Sequence, residues 1–149
     1  MTITTLHHGP VTRQATGRLT VTTQGGDMVP ITGAVQDWVK ETGIRNGLLT
    51  CFCQHTSASL TIQENTDPDV RLDLMDALER LASTKESYRH SLEGSDDMPA
   101  HIRTSLTDTT LSVPVLNGRA LFGVWQGLYV LEHRSRSHQR IIILQLTGT

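Results

Sequence analysis

The sequence predicts an α+β domain dominated by antiparallel sheet. Three observations carry this. Several runs rich in Thr and Val alternate apolar and polar residues, as half-buried strands require. Only two stretches place apolar residues at helical spacing. Asn117-Gly118 stands between two strand-like runs, the signature of a tight antiparallel hairpin. The order reads strand, helix, strand, helix, polar loop, hairpin, strand, and no repeated βαβ pattern argues for a parallel sheet. With 149 residues, the chain reads as one domain, 1–149, long enough to bury a core.

The first strand spans Val11 to Thr23 and ends in the turn residues Gly25-Gly26-Asp27. A helix begins at Thr32, which can cap it. Val35, Trp38 and Val39 form its apolar stripe, and Gly43 can close it. The run GLLTCFCQHTSASLTIQ reads as one long strand. Leu49, Cys51, Cys53, His55, Ser57 and Ser59 lie on one face, and Leu48, Thr50, Phe52, Gln54, Thr56, Ala58, Leu60 and Ile62 on the other. Asp67 caps a second helix, with Pro68 at its first position. Its stripe of Val70, Leu74, Ala77, Leu78 and Leu81 is expected to pack on the sheet. A polar loop spans 90–101. Thr109 to Val115 is a strand, Arg119 to Arg134 its return, and Ile141 to Leu146 the last strand.

A formal charge of −2 gives no reason to expect nucleic acid or an acidic membrane as partner. The apolar runs near 120–131 and 141–146 are far too short for a membrane span. MTITTLHHGP has no charged stretch followed by an apolar one, so no signal peptide is expected. The two cysteines, Cys51 and Cys53, are too close on one strand face for an easy bridge. A reduced, cytoplasmic protein is expected.

The loop HSLEGSDDMPAH concentrates the chemistry: two histidines and three carboxylates, with Gly94 and Pro99 arguing for a shaped loop. Of seven histidines, His7 and His8 lie in a terminal segment and His138 in a Ser/Arg-rich turn. His55, His90, His101 and His133 remain. Three imidazoles and an open position would make a catalytic metal geometry. No spacing here is a known short zinc signature, so separate histidines bonded to backbone or water are the competing reading. Cys51-x-Cys53-x-His55 shares a strand face, but buried small cysteines explain it better than ligands. Asp96-Asp97 can hold a cation, orient a histidine or act as a base; equally, the pair can bond backbone amides in an Asx-type loop. Gly123 and Gly127 share a strand face, where glycines mark close approach, a bulge or a subunit contact. Glu132-His133-Arg134 ends that strand with three ionisable residues, ordinary for a strand reaching a pocket.

Three segments together, HTSASLTIQENTDPDVR (55–71), HSLEGSDDMPAH (90–101) and NGRALFGVWQGLYVLEHR (117–134), resemble the YjbQ family, also called UPF0047 or the secondary thiamine-phosphate synthase family. The resemblance covers nearly the whole chain in order. It implies a small single-domain cytoplasmic protein with a β-sandwich-like α+β fold, here with two helices. It also implies a homotrimer formed through sheet packing, a weak thiamine phosphate synthase activity, and a histidine/acid pocket able to hold a metal. Carried over by position, it marks His55 with Thr56 and Ser57, then Glu93, Asp96, Asp97 and His101 with His90 leading them. It further marks Trp125, Gln126, Glu132, His133 and Arg134. Val124 stands where the family usually has Thr, and SRSHQR replaces a Gly-rich turn.

The expectation is a divalent ion, zinc first and magnesium with a diphosphate substrate, held by His90, His101 and His133. Asp97 would support the ligands or act as general base with Asp96 close by, and Glu93 would stand among the catalytic groups. Arg134 would meet a phosphate of a small substrate. Gln126 and His55 would line the pocket. Thiamine phosphate synthesis would join a pyrimidine methyl diphosphate to a thiazole phosphate and release diphosphate. A metal-dependent hydrolase and a non-catalytic trimeric binding module are the rival readings.

Overall fold

The structure is a computed structural model that describes all 149 residues. Two antiparallel sheets face each other across one core, an α+β sandwich. The larger has strand order β1-β8-β3-β5-β6, and the smaller β2-β7-β4. Strand β1 (Arg13–Thr22) pairs along its length with β8 (Gln139–Gly148). Strand β3 (Gly47–Cys53) lies between β8 and β5 (Thr110–Leu116). In the small sheet β7 (Gln126–Glu132) is central, flanked by β2 (Met28–Pro30) and β4 (Ala58–Glu64).

The long strand expected over 47–63 is two strands in two different sheets. The bend at 54–57 carries the chain across and shifts the alternation by one residue. Leu49, Cys51 and Cys53 face the core from β3; Ala58 and Leu60, of the opposite parity, face it from β4. The shift is required because each sheet turns a different face inward. The return strand expected over 119–134 divides in the same way. Strand β6 keeps only Arg119–Ala120, a turn follows, and β7 joins the other sheet. The hairpin between β5 and β6 turns on Asn117 and Gly118, both at positive φ, as a two-residue turn of this kind demands.

Helix α1 (Thr32–Thr42) sends Val35 and Val39 into the core, and Gly43 closes it at φ 66°. Thr32 does not cap it; the preceding residue Ile31 holds that place, and Thr32 Oγ1 accepts from the Leu128 amide at 2.8 Å. Trp38 lies on Gly17 so closely that a Cβ there would come within 2.7 Å of the ring. Helix α2 (Pro68–Leu81) starts as expected, with Asp67 accepting from the Asp69 amide at 2.9 Å. It covers the outer face of the small sheet, where Met75 packs on Met28, Tyr129 and Leu131. None of its residues is fully buried.

A third helix, α3 (Asp97–Leu106), takes the second half of the segment read as polar loop. Asp96-Asp97-Met98-Pro99 starts it: acidic residues suit a helix N-terminus, and proline is tolerated in the first turn. The core unites both sheets and α1; Leu60, Leu128, Ile142 and Leu146 are completely buried. Each contributes about 2–3 kcal/mol of apolar transfer energy. No helix is long and apolar enough to cross a membrane.

Candidate metal centre

The first turn of α3 places Asp97 and His101 one turn apart, on the same face. The Asp97 side chain is 3% exposed. Its Oδ2 lies 2.6 Å from His90 Nε2 and 3.4 Å from His101 Nε2. These three ligand atoms lie within 4.8 Å of one another. His101 Nδ1 is 3.0 Å from the Thr56 carbonyl, which can only accept, so Nδ1 carries the proton. The ring's other nitrogen, Nε2, faces the carboxylate oxygen. An ion seated among these atoms would take that nitrogen and the Asp97 oxygen as donors. Both imidazoles keep an open side: the His90 side chain is 44% exposed and that of His101 34%. Glu93 Oε2 stands at the rim, 3.9 Å from His90 Nε2.

Behind this cluster Arg134 ties the segment to the end of β7. Its Nε donates to Asp96 Oδ2 at 3.2 Å, its Nη2 to the Glu93 carbonyl at 2.8 Å, and its Nη1 to Asp97 Oδ1. The Ser135 amide and hydroxyl add bonds of 2.8 and 2.7 Å to Asp96 Oδ2. Burial alone would raise the Asp96 carboxyl. The Ser135 bonds and the Arg134 charge overcome it and hold the group far below the usual carboxylate range. Asp97 follows the same pattern: burial raises it, while contacts with His90 and Glu93 and the charges of Arg134 and His101 pull it down. Both carboxylates are ionised at neutral pH.

His133, expected as a ligand, stands apart from the cluster. It is 1% exposed, and its Nε2 lies 2.8 Å from Ser59 Oγ on β4. Its Nδ1 is buried without a partner. Burial, helped by the Arg103 charge, pushes its pKa down to about 4. Asp97, expected to support the ligands, is the third member of the cluster with His90 and His101. Arg134, expected to meet a phosphate, has its guanidinium bonded to Asp96, Asp97 and the Glu93 carbonyl.

The remaining expected site residues have structural partners. His55 Nε2 accepts from the Ile141 amide at 2.7 Å, which anchors the bend between β3 and β4 to β8. Burial and then the Arg140 charge lower its pKa. The Gln126 side chain accepts from the Gly123 amide at 2.8 Å and closes the turn before β7. Glu132 is completely buried, its two oxygens held by the Arg140 guanidinium. Arg140 is only 4% exposed, although it ends the Ser/Arg-rich segment SRSHQR. Its place directly before the apolar run Ile141-Ile142-Ile143 was the available signal. Thr56, marked only by resemblance, orients His101 through its carbonyl.

The donors are two imidazoles and one carboxylate, with a side open to solvent. That set of nitrogen and oxygen donors could hold a divalent metal ion. Fold and site together define a small two-sheet α+β protein with a His/Asp cluster able to hold a metal.

The chain belongs to the YjbQ/UPF0047 family: the family model described as UPF0047 protein YjbQ-like matches residues 17–149. A UPF0047 protein of Synechocystis is 47% identical over 137 residues, covering 91% of this chain and 93% of the relative. YjbQ of Escherichia coli O157:H7 is 47% identical over 102 residues, or 68% of this chain and 74% of its own. Among solved structures, an uncharacterized family protein from Clostridium acetobutylicum matches with a TM-score of 0.80 and 32% identity, covering 87% of this chain and 98% of that one. A conserved hypothetical protein from Thermus thermophilus matches with a TM-score of 0.76, also at 32% identity, with the same two coverages.

Proposed function

We propose that this protein is a divalent-metal-dependent enzyme, with zinc held by His90 Nε2, His101 Nε2 and Asp97 Oδ2, that hydrolyses a small phosphorylated molecule. The observation that carries the reading is the convergence of His90, His101 and the buried Asp97, whose ligand atoms lie within 4.8 Å of one another. A bound ion would supply positive charge to polarise a phosphoryl oxygen. Glu93, exposed at the rim beside His90, would accept the proton of an attacking water. Arg89 and Arg136 lie on segments flanking the cluster and favour approach of an anion.

Thiamine phosphate synthesis, which the family resemblance carries, is the rival activity of the same centre. It must neutralise a departing diphosphate, and Arg134 is already committed to carboxylates. That commitment favours hydrolysis. The free cysteines support a reducing cytoplasm. The outer face of the large sheet, with Leu48 and Phe52 exposed, and the incompletely buried α2 support a trimer.

The test is elemental mass spectrometry on untagged, chelator-free protein beside His101→Ala and Asp97→Asn, with circular dichroism to verify folding. Turnover is then measured on phosphomonoesters, on carboxyl esters, and for thiamine phosphate formation. The expected result is near-stoichiometric zinc that both folded variants lose, with phosphate release in the wild type. A wild type that takes up neither zinc nor manganese overturns the metal centre. Metal without turnover leaves a binding module, and thiamine phosphate as the faster product replaces hydrolysis by transfer.

A further inference from the structure

Within the cluster just assigned, the two oxygens of Asp97 do different things. Oδ2 faces His90 and His101; Oδ1 faces Arg134. A carboxylate can rotate about its last bond and exchange its oxygens, so something must fix which one faces the imidazoles. Water cannot, because the Asp97 side chain is 3% exposed. Arg134 is the one side chain bonded to Oδ1. The same guanidinium holds Asp96 and the Glu93 carbonyl, and so fixes the segment that carries His90 and Glu93 against α3. Arg134 is fixed in turn. Its own amide donates to Glu132 Oε1 at 2.9 Å, and Glu132 is gripped by Arg140 and by Thr23, whose hydroxyl donates at 2.6 Å. Contacts thus run from the buried Arg140–Glu132 pair through the Arg134 amide, and from the Arg134 guanidinium to Asp97.

We infer that Arg134 is the positioning residue of the metal centre: it sets metal affinity by holding Asp97 and the 93–96 segment in the ligating arrangement, without touching the ion. The inference rests on the metal-centre reading above. Two effects oppose each other. A nearby positive charge weakens cation binding, whereas loss of the fork leaves a buried carboxylate oxygen unpaired and its partner segment untied. Partners that orient metal ligands are worth roughly tenfold to a hundredfold in affinity. That exceeds the charge effect of an arginine already neutralised by two carboxylates, so orientation wins.

Cobalt(II) is the probe, because its visible absorption reports both affinity and ligand arrangement. Wild type, Arg134→Ala, Arg134→Lys and Arg13→Ala are titrated with cobalt, and the thermal stability of each metal-free protein is measured separately. Arg13 bonds only the Thr42 and Gly43 carbonyls far from the centre and controls for general destabilisation. Arg134→Ala is expected to bind cobalt at least about tenfold more weakly with an altered spectrum. Arg134→Lys should recover only part, since an ammonium cannot reproduce the planar fork. Arg13→Ala should lower stability and leave affinity unchanged. If Arg134→Ala merely melts earlier while its folded form binds cobalt with wild-type affinity and spectrum, Arg134 is structural only and the inference falls. If the wild type itself gives no cobalt absorption, the metal centre falls first and takes this inference with it.

Discussion

His133 makes the acid sensitivity of the fold predictable. Its pKa is lowered from 6.5 to about 4, first by burial and then by the Arg103 charge. In the unfolded chain an imidazole titrates near its ordinary value of about 6.5. Above that value neither state binds the proton. Between there and about pH 4 the unfolded chain binds it and the native protein does not, so stability falls as the pH falls. One proton corresponds to about 1.4 kcal/mol per pH unit, or roughly 3 kcal/mol across the window. A domain of this size has only about 5–15 kcal/mol in total. His55, also lowered by burial and by Arg140, acts in the same direction. Asp96, Asp97, Glu79 and Glu132 are depressed carboxylates. Their contributions are lost only at lower pH, as it falls through their native values. Urea unfolding of chelator-treated protein, at fixed concentration and followed by tryptophan fluorescence, should show the decline between about pH 6.5 and about pH 4.5. His133→Gln keeps a hydrogen-bonding group beside Ser59 but cannot take up the proton, so its slope should be shallower by up to one proton. Equal slopes for the two proteins would refute the buried neutral imidazole.

Two further predictions concern the scaffold. Glu132→Gln leaves the Arg140 guanidinium buried without a counter-charge and should cost about 3–5 kcal/mol, read as a lower urea midpoint. Replacing Glu132 and Arg140 together by methionine should recover part of that loss; a double variant worse than the single would contradict it. If the trimer holds, light scattering will give three times the 16.4 kDa chain mass. Phe52→Glu, on the exposed face of the large sheet, should shift the particle towards one chain, and an unchanged mass would place the contact elsewhere.

What the sequence made legible was local. Gly43, Asp67-Pro68 and Asn117-Gly118 each act through backbone conformation or one nearby bond, and each marks a boundary the structure keeps. The two split strands were hidden because alternation looks continuous even where the chain changes sheets. The clue lay in the parity: Leu49, Cys51 and Cys53 are apolar on one, Ala58, Leu60 and Ile62 on the other. A single half-buried strand has no use for both. The ends of the site divide along the same line. His133 follows β7, a central strand covered on both faces and buried continuously from Gly127 to Glu132. In such a strand parity carries no information about which residue meets a pocket and which meets the core, so a histidine buried against Ser59 and one facing a ligand read alike. Helical spacing is more informative. Asp97 and His101 stand four apart behind an acid–acid–Met–Pro start, and that interval alone puts a carboxylate and an imidazole on one side of α3. Reading 90–101 wholly as loop concealed the interval. Read as a helix start, it names two of the three residues of the cluster and leaves the preceding histidine, His90, as the third.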